Sequence, residues 1–468
     1  MVQKTTKTYA SHKRLVPGRP AKARRIHCAR IRALNLGCED NMIRTVLCLA
    51  ALALATAASA ESYVLVNVRI AHADGTVVEN GMILINGDRI VHVGPPVSYE
   101  EGFVLVDCAG LTAYPGFIDG YSRSGLDLPD APENAEARDA VDGPLPSFWH
   151  ENRKGVYADL DVSQHIDAEG LGEKVHEQGV TAGLLASGRG GFGGLAAVVN
   201  LAEMESGQVV LSRAFQEMSF GSSGRGGYPS SLMGRIALMR QIMFDAEHYV
   251  ANPPCEDEAD AVLSAVGDAT IGLAYTLFTA NTEREIQRAF NLADEFGLRL
   301  TLNGGNEAWK HAAELKRRGI DVILDAEIDR EPRSEPREDP VRALSDPPLA
   351  VLEARHAEWV EDSKFVVKAY EAGLKFAFSS YGDSNSLLEN VRKHIGLGLP
   401  KAAALRALTI DAAEILGVAD QLGSLAEGKL ANITLMSGDF ADEESVVKTV
   451  FVAGKKIDIT EEEEEDGR

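Results

Sequence analysis

Tyr121 and Arg123 are the side chains in this sequence whose types and spacing first suggest chemistry. They follow an apolar stretch that we predict to be a buried strand, Leu111–Asp119, and residues two apart on a strand point to the same face. A guanidinium has no lone pair to offer a metal, and a phenol is a poor ligand unless it loses its proton. An arginine fork does match the geometry of a carboxylate. The pair therefore favours a polar ligand site over a metal centre.

The histidines and cysteines give no second candidate for a metal centre. Nine histidines follow residue 60, and none of them lies in a His-x-His or similar ligand spacing. Cys108 and Cys255 also lack metal-site spacing and are interpreted as small buried residues. The sequence leaves open whether these two cysteines pair.

The elements that position the pair follow from hydrophobic periodicity. Residues 63–108 alternate with a period of two and contain Asp-Gly and Asn-Gly-Asp turns, which predicts a small antiparallel sheet. Strands and helices then alternate over roughly 300 residues, a pattern typical of a parallel sheet with crossover helices and best satisfied by a (β/α)₈ barrel. We predict a composite β domain from residues 61–111 and 421–457, a barrel over 112–420, and a disordered acidic tail over 458–468.

Residues 1–60 differ in charge from the rest of the chain. They hold 11 lysines and arginines against 2 acidic residues, whereas the remainder holds 36 basic and 68 acidic residues. The part of the chain after residue 60 is strongly acidic and would repel the phosphates of nucleic acid. We therefore exclude nucleic acid as a partner. Residues 42–60 combine a short charged start, an apolar run and an Ala-Ser-Ala end, as a secretory signal does. We predict cleavage before Glu61, a periplasmic or secreted protein, and residues 1–41 as an over-extended start or a disordered tail.

Two segments carry a family resemblance. The first is Pro115-Gly116-Phe117-Ile118-Asp119, with its β-hairpins upstream. The second runs from Ala404 through Gly428-Lys429 to Asn432. Together they resemble the opening strand and closing segment of the amidohydrolase superfamily, in its imidazolonepropionase-like branch. The resemblance spans residues 62–457 and implies a barrel with a small β-sandwich, acting on carbon–nitrogen bonds other than peptide bonds.

The resemblance also indicates which residues stand where the family places its metal ligands. Tyr121 and Arg123 replace the His-x-His pair, and Thr279 or Asn281 stands where a further strand would end in histidine. Asn303 or Asn306 is nearest to the next histidine position, and Tyr381 is in register with the catalytic aspartate. The residues predicted to bind substrate are Tyr121, Arg123, Thr279, Asn303, Asn306 and Tyr381.

Two hypotheses follow for the function. In the first, the chain hydrolyses amide or cyclic-amide compounds outside the cytoplasm, with Asp383 (two residues after Tyr381 and of the same parity) as the base. In the second, it is a catalytically inactive relative that binds such a ligand or partners an active amidohydrolase. We expect no cofactor. Zinc or another divalent metal would be bound only if the site can hold a metal ion in spite of these replacements. No membrane span is expected after signal cleavage, and the sequence leaves self-association open.

Overall fold

The computed structural model describes nine stretches of the chain. They are residues 61–129, 156–167, 173–204, 207–221, 229–254, 259–337, 339, 345–382 and 384–459. The predicted signal segment, the acidic tail beyond residue 459, Cys255 and the candidate base Asp383 lie outside them. Within them Cys108 is buried and not in a disulfide, and burial raises the pKa of its thiol to about 11.

The first of two sheets is built from both ends of the described chain. The eight strands are β1 Tyr63–Ala71, β2 Val77–Asn86, β3 Arg89–Gly94, β4 Val104–Asp107, β5 Thr112–Pro115, β14 Ile433–Met436, β15 Val447–Val452 and β16 Lys455–Asp458. Their order is β16-β15-β14-β5-β1-β2-β3, and β4 pairs with β1. The alternating pattern after residue 60 supplies β1 to β5, and the closing segment supplies the rest.

The second sheet is a nearly closed barrel with strand order β13 to β6. The barrel and the separate sheet confirm the predicted fold class. Backbone hydrogen bonds from Arg123 to Gly382 (2.8 Å) and from Tyr381 to Tyr121 (3.2 Å) link its first and last strands. The eight strands are β6 Phe117–Ser122, β7 Val180–Leu185, β8 Phe192–Asn200, β9 Val209–Ser219, β10 Tyr275–Ala280, β11 Arg299–Gly304, β12 Val322–Asp325 and β13 Phe376–Ser379.

One barrel strand departs from the predicted parallel arrangement. β8 runs antiparallel to both β7 and β9, so these three strands form a meander without crossover helices. The other neighbouring pairs, β6 with β7 and those from β9 to β13, are parallel. Because β8 reverses direction, β9 ends at the same rim as the parallel strands. Its polar residues therefore join the site described below, although β9 was not among the predicted strands.

Helices connect the later barrel strands. Helix α4 shows why the chain forms them, since it starts with a capping box between Thr282 and Glu285 and ends at Gly297, whose φ is 66°. No described helix has the length and apolar character needed to cross a membrane. The helices are α1 Glu173–Glu177, α2 Leu232–Ala251, α3 Ala261–Thr270, α4 Glu283–Phe296, α5 Ala312–Arg318, α6 Leu349–Asp362, α7 Phe365–Glu371, α8 Leu387–Gly396, α9 Lys401–Leu408 and α10 Ile410–Ile415.

The barrel interior is a packed core below a polar rim. Leu184, Leu277 and Ile323 belong to one buried apolar cluster with Tyr121 and with residues of α10. Gly120 in β6 lies against this core, because a Cβ there would come within 2.8 Å of Ile323 Cγ2 and of the Phe378 carbonyl oxygen. The glycine after the motif aspartate thus allows β6 to pack closely against β13.

Candidate ligand site at the barrel mouth

Asp119 closes the barrel beneath the site and is not part of its exposed surface. Its side chain is fully buried, and its carboxylate accepts hydrogen bonds from the backbone N–H groups of Tyr121 (3.1 Å) and Ser380 (3.0 Å). It also accepts from the hydroxyls of Ser380 (2.6 Å) and Ser384 (2.7 Å). Burial raises its pKa, although these hydrogen bonds act in the opposite direction. These contacts tie the end of β6 to the segment that follows β13.

Tyr121 lies in the mouth as a buried hydrogen-bond donor. Its phenol, 2% exposed, donates to Oε1 of Glu217 at 2.7 Å. The other oxygen of Glu217 accepts from the Gly188 N–H (3.1 Å) and from the Ser187 hydroxyl (3.2 Å). Burial, followed by the adjacent carboxylate, raises the pKa of Tyr121 well above its usual value, so the phenol keeps its proton. Burial also raises the pKa of Glu217.

A second tyrosine covers the first. The ring of Tyr381 stacks on Tyr121 with centroids 5.2 Å apart and planes 21° from parallel. The Thr279 side chain interacts with the Tyr381 phenol and acts to lower its pKa, and the Thr279 oxygen accepts from the Asn303 side-chain amide at 3.0 Å. The mouth therefore carries a hydrogen-bonded belt that reaches from β11 to β10 and on to the segment after β13.

Arg123 brings a positive charge to this belt. Its side chain is exposed and lies beside Gly188, where a Cβ would come within 3.4 Å of both Arg123 Cδ and the Tyr121 phenol oxygen. Among the described residues its guanidinium has neither an ion pair nor a hydrogen-bond partner. A free arginine fork beside two tyrosines is suited to bind a carboxylate.

Five of the six predicted binding residues thus come together: Tyr121, Arg123, Thr279, Asn303 and Tyr381. Asn306 does not join them, because it lies exposed in the turn after β11. The sequence reasoning missed Glu217 and Asp325. Glu217 lies in the meander strand that was not predicted. Residues 320–324 form an apolar run that predicts a strand, and the position of Asp325 directly after it was the only available signal for that residue.

Asp325, at the end of β12, is the carboxyl group of the mouth with a near-neutral pKa. Burial is the largest cause that raises its pKa to about 6, and the negative charges of Glu327 and Asp119 add to the shift. Its carboxylate accepts the Glu327 N–H at 2.9 Å. A carboxyl group of this kind exchanges its proton in the range where a general acid or base works best.

The pKa of Asp325 predicts a pH dependence of stability. A folded-state pKa above the usual value means that the folded protein binds the proton more tightly, so this contribution is lost as the pH rises from about 4 through 6. Between pH 5 and pH 7.5 the free energy of unfolding should fall by about 1 kcal/mol more in the wild type than in Asp325→Asn. Urea unfolding at both pH values measures this difference. Equal falls in the two proteins would contradict the assigned pKa.

The described residues do not fit a metal centre of the family type. They contain no group of three histidine, cysteine, aspartate or glutamate side chains placed to hold an ion. The positions that the resemblance assigns to metal ligands hold a protonated phenol, a guanidinium and neutral polar groups, and both oxygens of Glu217 already accept hydrogen bonds. A dication there would face the charge of Arg123, and the described residues around it offer neither a neutral imidazole nor a thiolate.

Comparison with known proteins gives one family and one fold. Residues 355–457 match the amidohydrolase family. An amidohydrolase from Thermotoga maritima MSB8 has a similar structure, with a TM-score of 0.67 at 19% identity, covering 84% of this chain and 99% of that one. A putative prolidase from Bifidobacterium longum gives a TM-score of 0.50 at 15% identity, over 85% and 95% of the two chains. No curated protein matches the sequence at a significant level.

The family match and the structural similarity agree with each other. The family match falls on the closing segment that carried half of the resemblance, and the two solved structures share the fold of the whole described body. Because both solved structures are less than 20% identical to this chain, their similarity to it shows a shared fold. With the family match over 355–457 and the shared barrel fold around it, the predicted resemblance to the amidohydrolase superfamily is confirmed.

Proposed function

We propose that this chain is an amidohydrolase-superfamily barrel whose mouth binds a small amide or cyclic-amide ligand bearing a carboxylate. In this proposal the family's metal site has been replaced, and the chain acts as a ligand-binding relative. The observation that carries the proposal is Arg123, an exposed guanidinium without a described partner beside Tyr121. Arginine at such a place binds a carboxylate through two parallel hydrogen bonds.

The Tyr121–Glu217 pair supports a binding function over metal catalysis. The phenol donates a hydrogen bond to a buried carboxylate, and that carboxylate also accepts hydrogen bonds from Ser187 and Gly188. Such a pair is rigid, since moving either partner would leave a buried polar group unsatisfied. It forms a fixed floor for a ligand that approaches Arg123 from the mouth.

A second candidate function is hydrolysis of the same ligands without a metal. The observation that favours it is Asp325, whose pKa of about 6 suits a general base near neutral pH. Asp383, the base predicted from sequence, lies outside the described residues. Release of glycine from N-acetylglycine by the wild type, and its loss in Asp325→Asn, would support this candidate over the first.

The proposed location and partners come from the sequence. We propose that residues 42–60 direct the chain to the periplasm or the exterior, where it would meet small amide compounds. Whether it associates with itself or with an active amidohydrolase is best tested on the mature protein by sedimentation. Neither association is needed for the ligand site proposed above.

The carboxylate proposal predicts a defect in Arg123→Gln. Loss of a charge-assisted hydrogen bond should weaken binding of N-acetylglycine by about 10- to 100-fold, as followed by NMR titration. Pentanoate has the same length and carboxylate but no amide, and its binding should weaken as well. Arg240→Gln is the control, since Arg240 pairs with Glu295 on α4, away from the mouth. Unchanged affinities in Arg123→Gln would contradict the proposal.

A further inference from the structure

Tyr381 has an unusual backbone conformation at the mouth. Its φ is +53°, in the left-handed region that favours glycine, although it is a bulky aromatic residue. It directly follows the serine that bonds to Asp119, and its side chain is 37% exposed. Strained residues of this kind persist only where the surroundings hold them, and they cluster at functional sites. The strain is therefore a reason to ask what the ring is held in place to do.

The surroundings hold the ring of Tyr381 in place. The backbone N–H of Tyr381 donates to the Tyr121 carbonyl at 3.2 Å, and the two rings stack. The phenol interacts with the side chain of Thr279, whose hydroxyl oxygen accepts from the Asn303 amide at 3.0 Å. Tyr381 is partly exposed, so a ligand in the mouth can reach its side chain. Burial raises the pKa of Tyr381, so the proton stays on the phenol at neutral pH.

We propose that the Tyr381 O–H donates to the amide carbonyl oxygen of the ligand whose carboxylate Arg123 binds. This assignment rests on the proposed function and narrows it. The guanidinium of Arg123 lies beside Gly382, the residue after Tyr381, where a Cβ would come within 3.7 Å of Nη2. An acylated or cyclised α-amino acid carries both of the groups that these side chains would bind, because two atoms separate its carbonyl and carboxylate carbons. Tyr381 is thus a specificity-determining residue.

The test compares two substitutions on two probes by NMR titration. Tyr381→Phe keeps the stacked ring and removes only the hydroxyl. It should weaken N-acetylglycine by about tenfold and leave pentanoate unchanged, because pentanoate has no carbonyl to accept the bond. Arg123→Gln should weaken both probes. Tyr370→Phe, an exposed tyrosine on α7, is the matched control and should change neither.

Each outcome separates this inference from the function on which it rests. If Tyr381→Phe leaves N-acetylglycine binding unchanged, the Tyr381 hydroxyl does not donate to the ligand carbonyl. The same conclusion follows if the variant weakens binding of both probes equally while its melting temperature stays at the wild-type value. The carboxylate proposal would still stand in that case, provided that Arg123→Gln weakens both probes. If Arg123→Gln alters neither, the proposed function fails first. If the wild type binds neither probe, both are wrong.

Discussion

Replacement of Asp119 by alanine should lower the free energy of unfolding by about 3 kcal/mol, the largest loss of stability that we expect from a single substitution at the mouth. The carboxylate accepts four hydrogen bonds in a site that solvent does not reach. Without it, the backbone N–H groups of Tyr121 and Ser380 have no acceptor nearby. Leaving such groups buried and unsatisfied costs more than the net gain of an ordinary hydrogen bond.

The location of Asp119 adds to that effect. Strands β6 and β13 are the first and last of the barrel, and Asp119 links β6 to both the end of β13 and the segment that begins at Ser384. Its loss should therefore loosen the closing seam as well as the local hydrogen bonds. Chemical unfolding followed by circular dichroism measures the difference.

Two comparisons sharpen this prediction. Ser384→Ala removes a single donor whose hydroxyl also contacts Ser122, and should cost about 1 kcal/mol. Asp119→Asn keeps the shape and one acceptor oxygen, and should fall between the two. If Asp119→Ala were no less stable than Ser384→Ala, the carboxylate would not be what holds the seam together.

Local patterns were sufficient to predict much of the fold. The period-two alternation after residue 60 and the closing glycine-lysine turn predicted a β segment at each end, and both lie in one sheet. The sequence from Glu283 to Phe296, closed by Gly297, predicts a helix, and helix α4 has those bounds because its cap, its apolar face and its terminal glycine all agree. Where several local signals coincide, sequence alone positions the element.

The meander was harder to predict for a physical reason. The glycine-rich stretch 187–194 reads as a loop, yet Phe192 already starts β8, and Gly193 lies against Glu217, where a Cβ would come within 2.2 Å of the carboxylate. Glycine there reflects close packing of β8 on β9. Such packing depends on strand neighbours, which periodicity along one segment does not reveal.

The same limit applies to the candidate site. Tyr121 and Arg123 could be predicted because they stand in a motif at the end of a strand. Glu217, which gives Tyr121 its role, lies 96 residues away in sequence and is brought near only by the barrel. The shift in the pKa of Asp325 likewise arises from burial and from charges on other segments. Long-range contacts of this kind come from the tertiary structure.

The most direct test of the account is the metal content of the purified protein. We propose that the Tyr121–Glu217 pair, with Arg123 beside it, takes the place of the metal site of a metal-dependent relative. We expect elemental analysis of the mature chain, produced in zinc-supplemented medium and then dialysed, to find well below one equivalent of zinc or any other divalent metal. One full equivalent retained after dialysis, and lost when Tyr121 or Glu217 is substituted, would contradict the account.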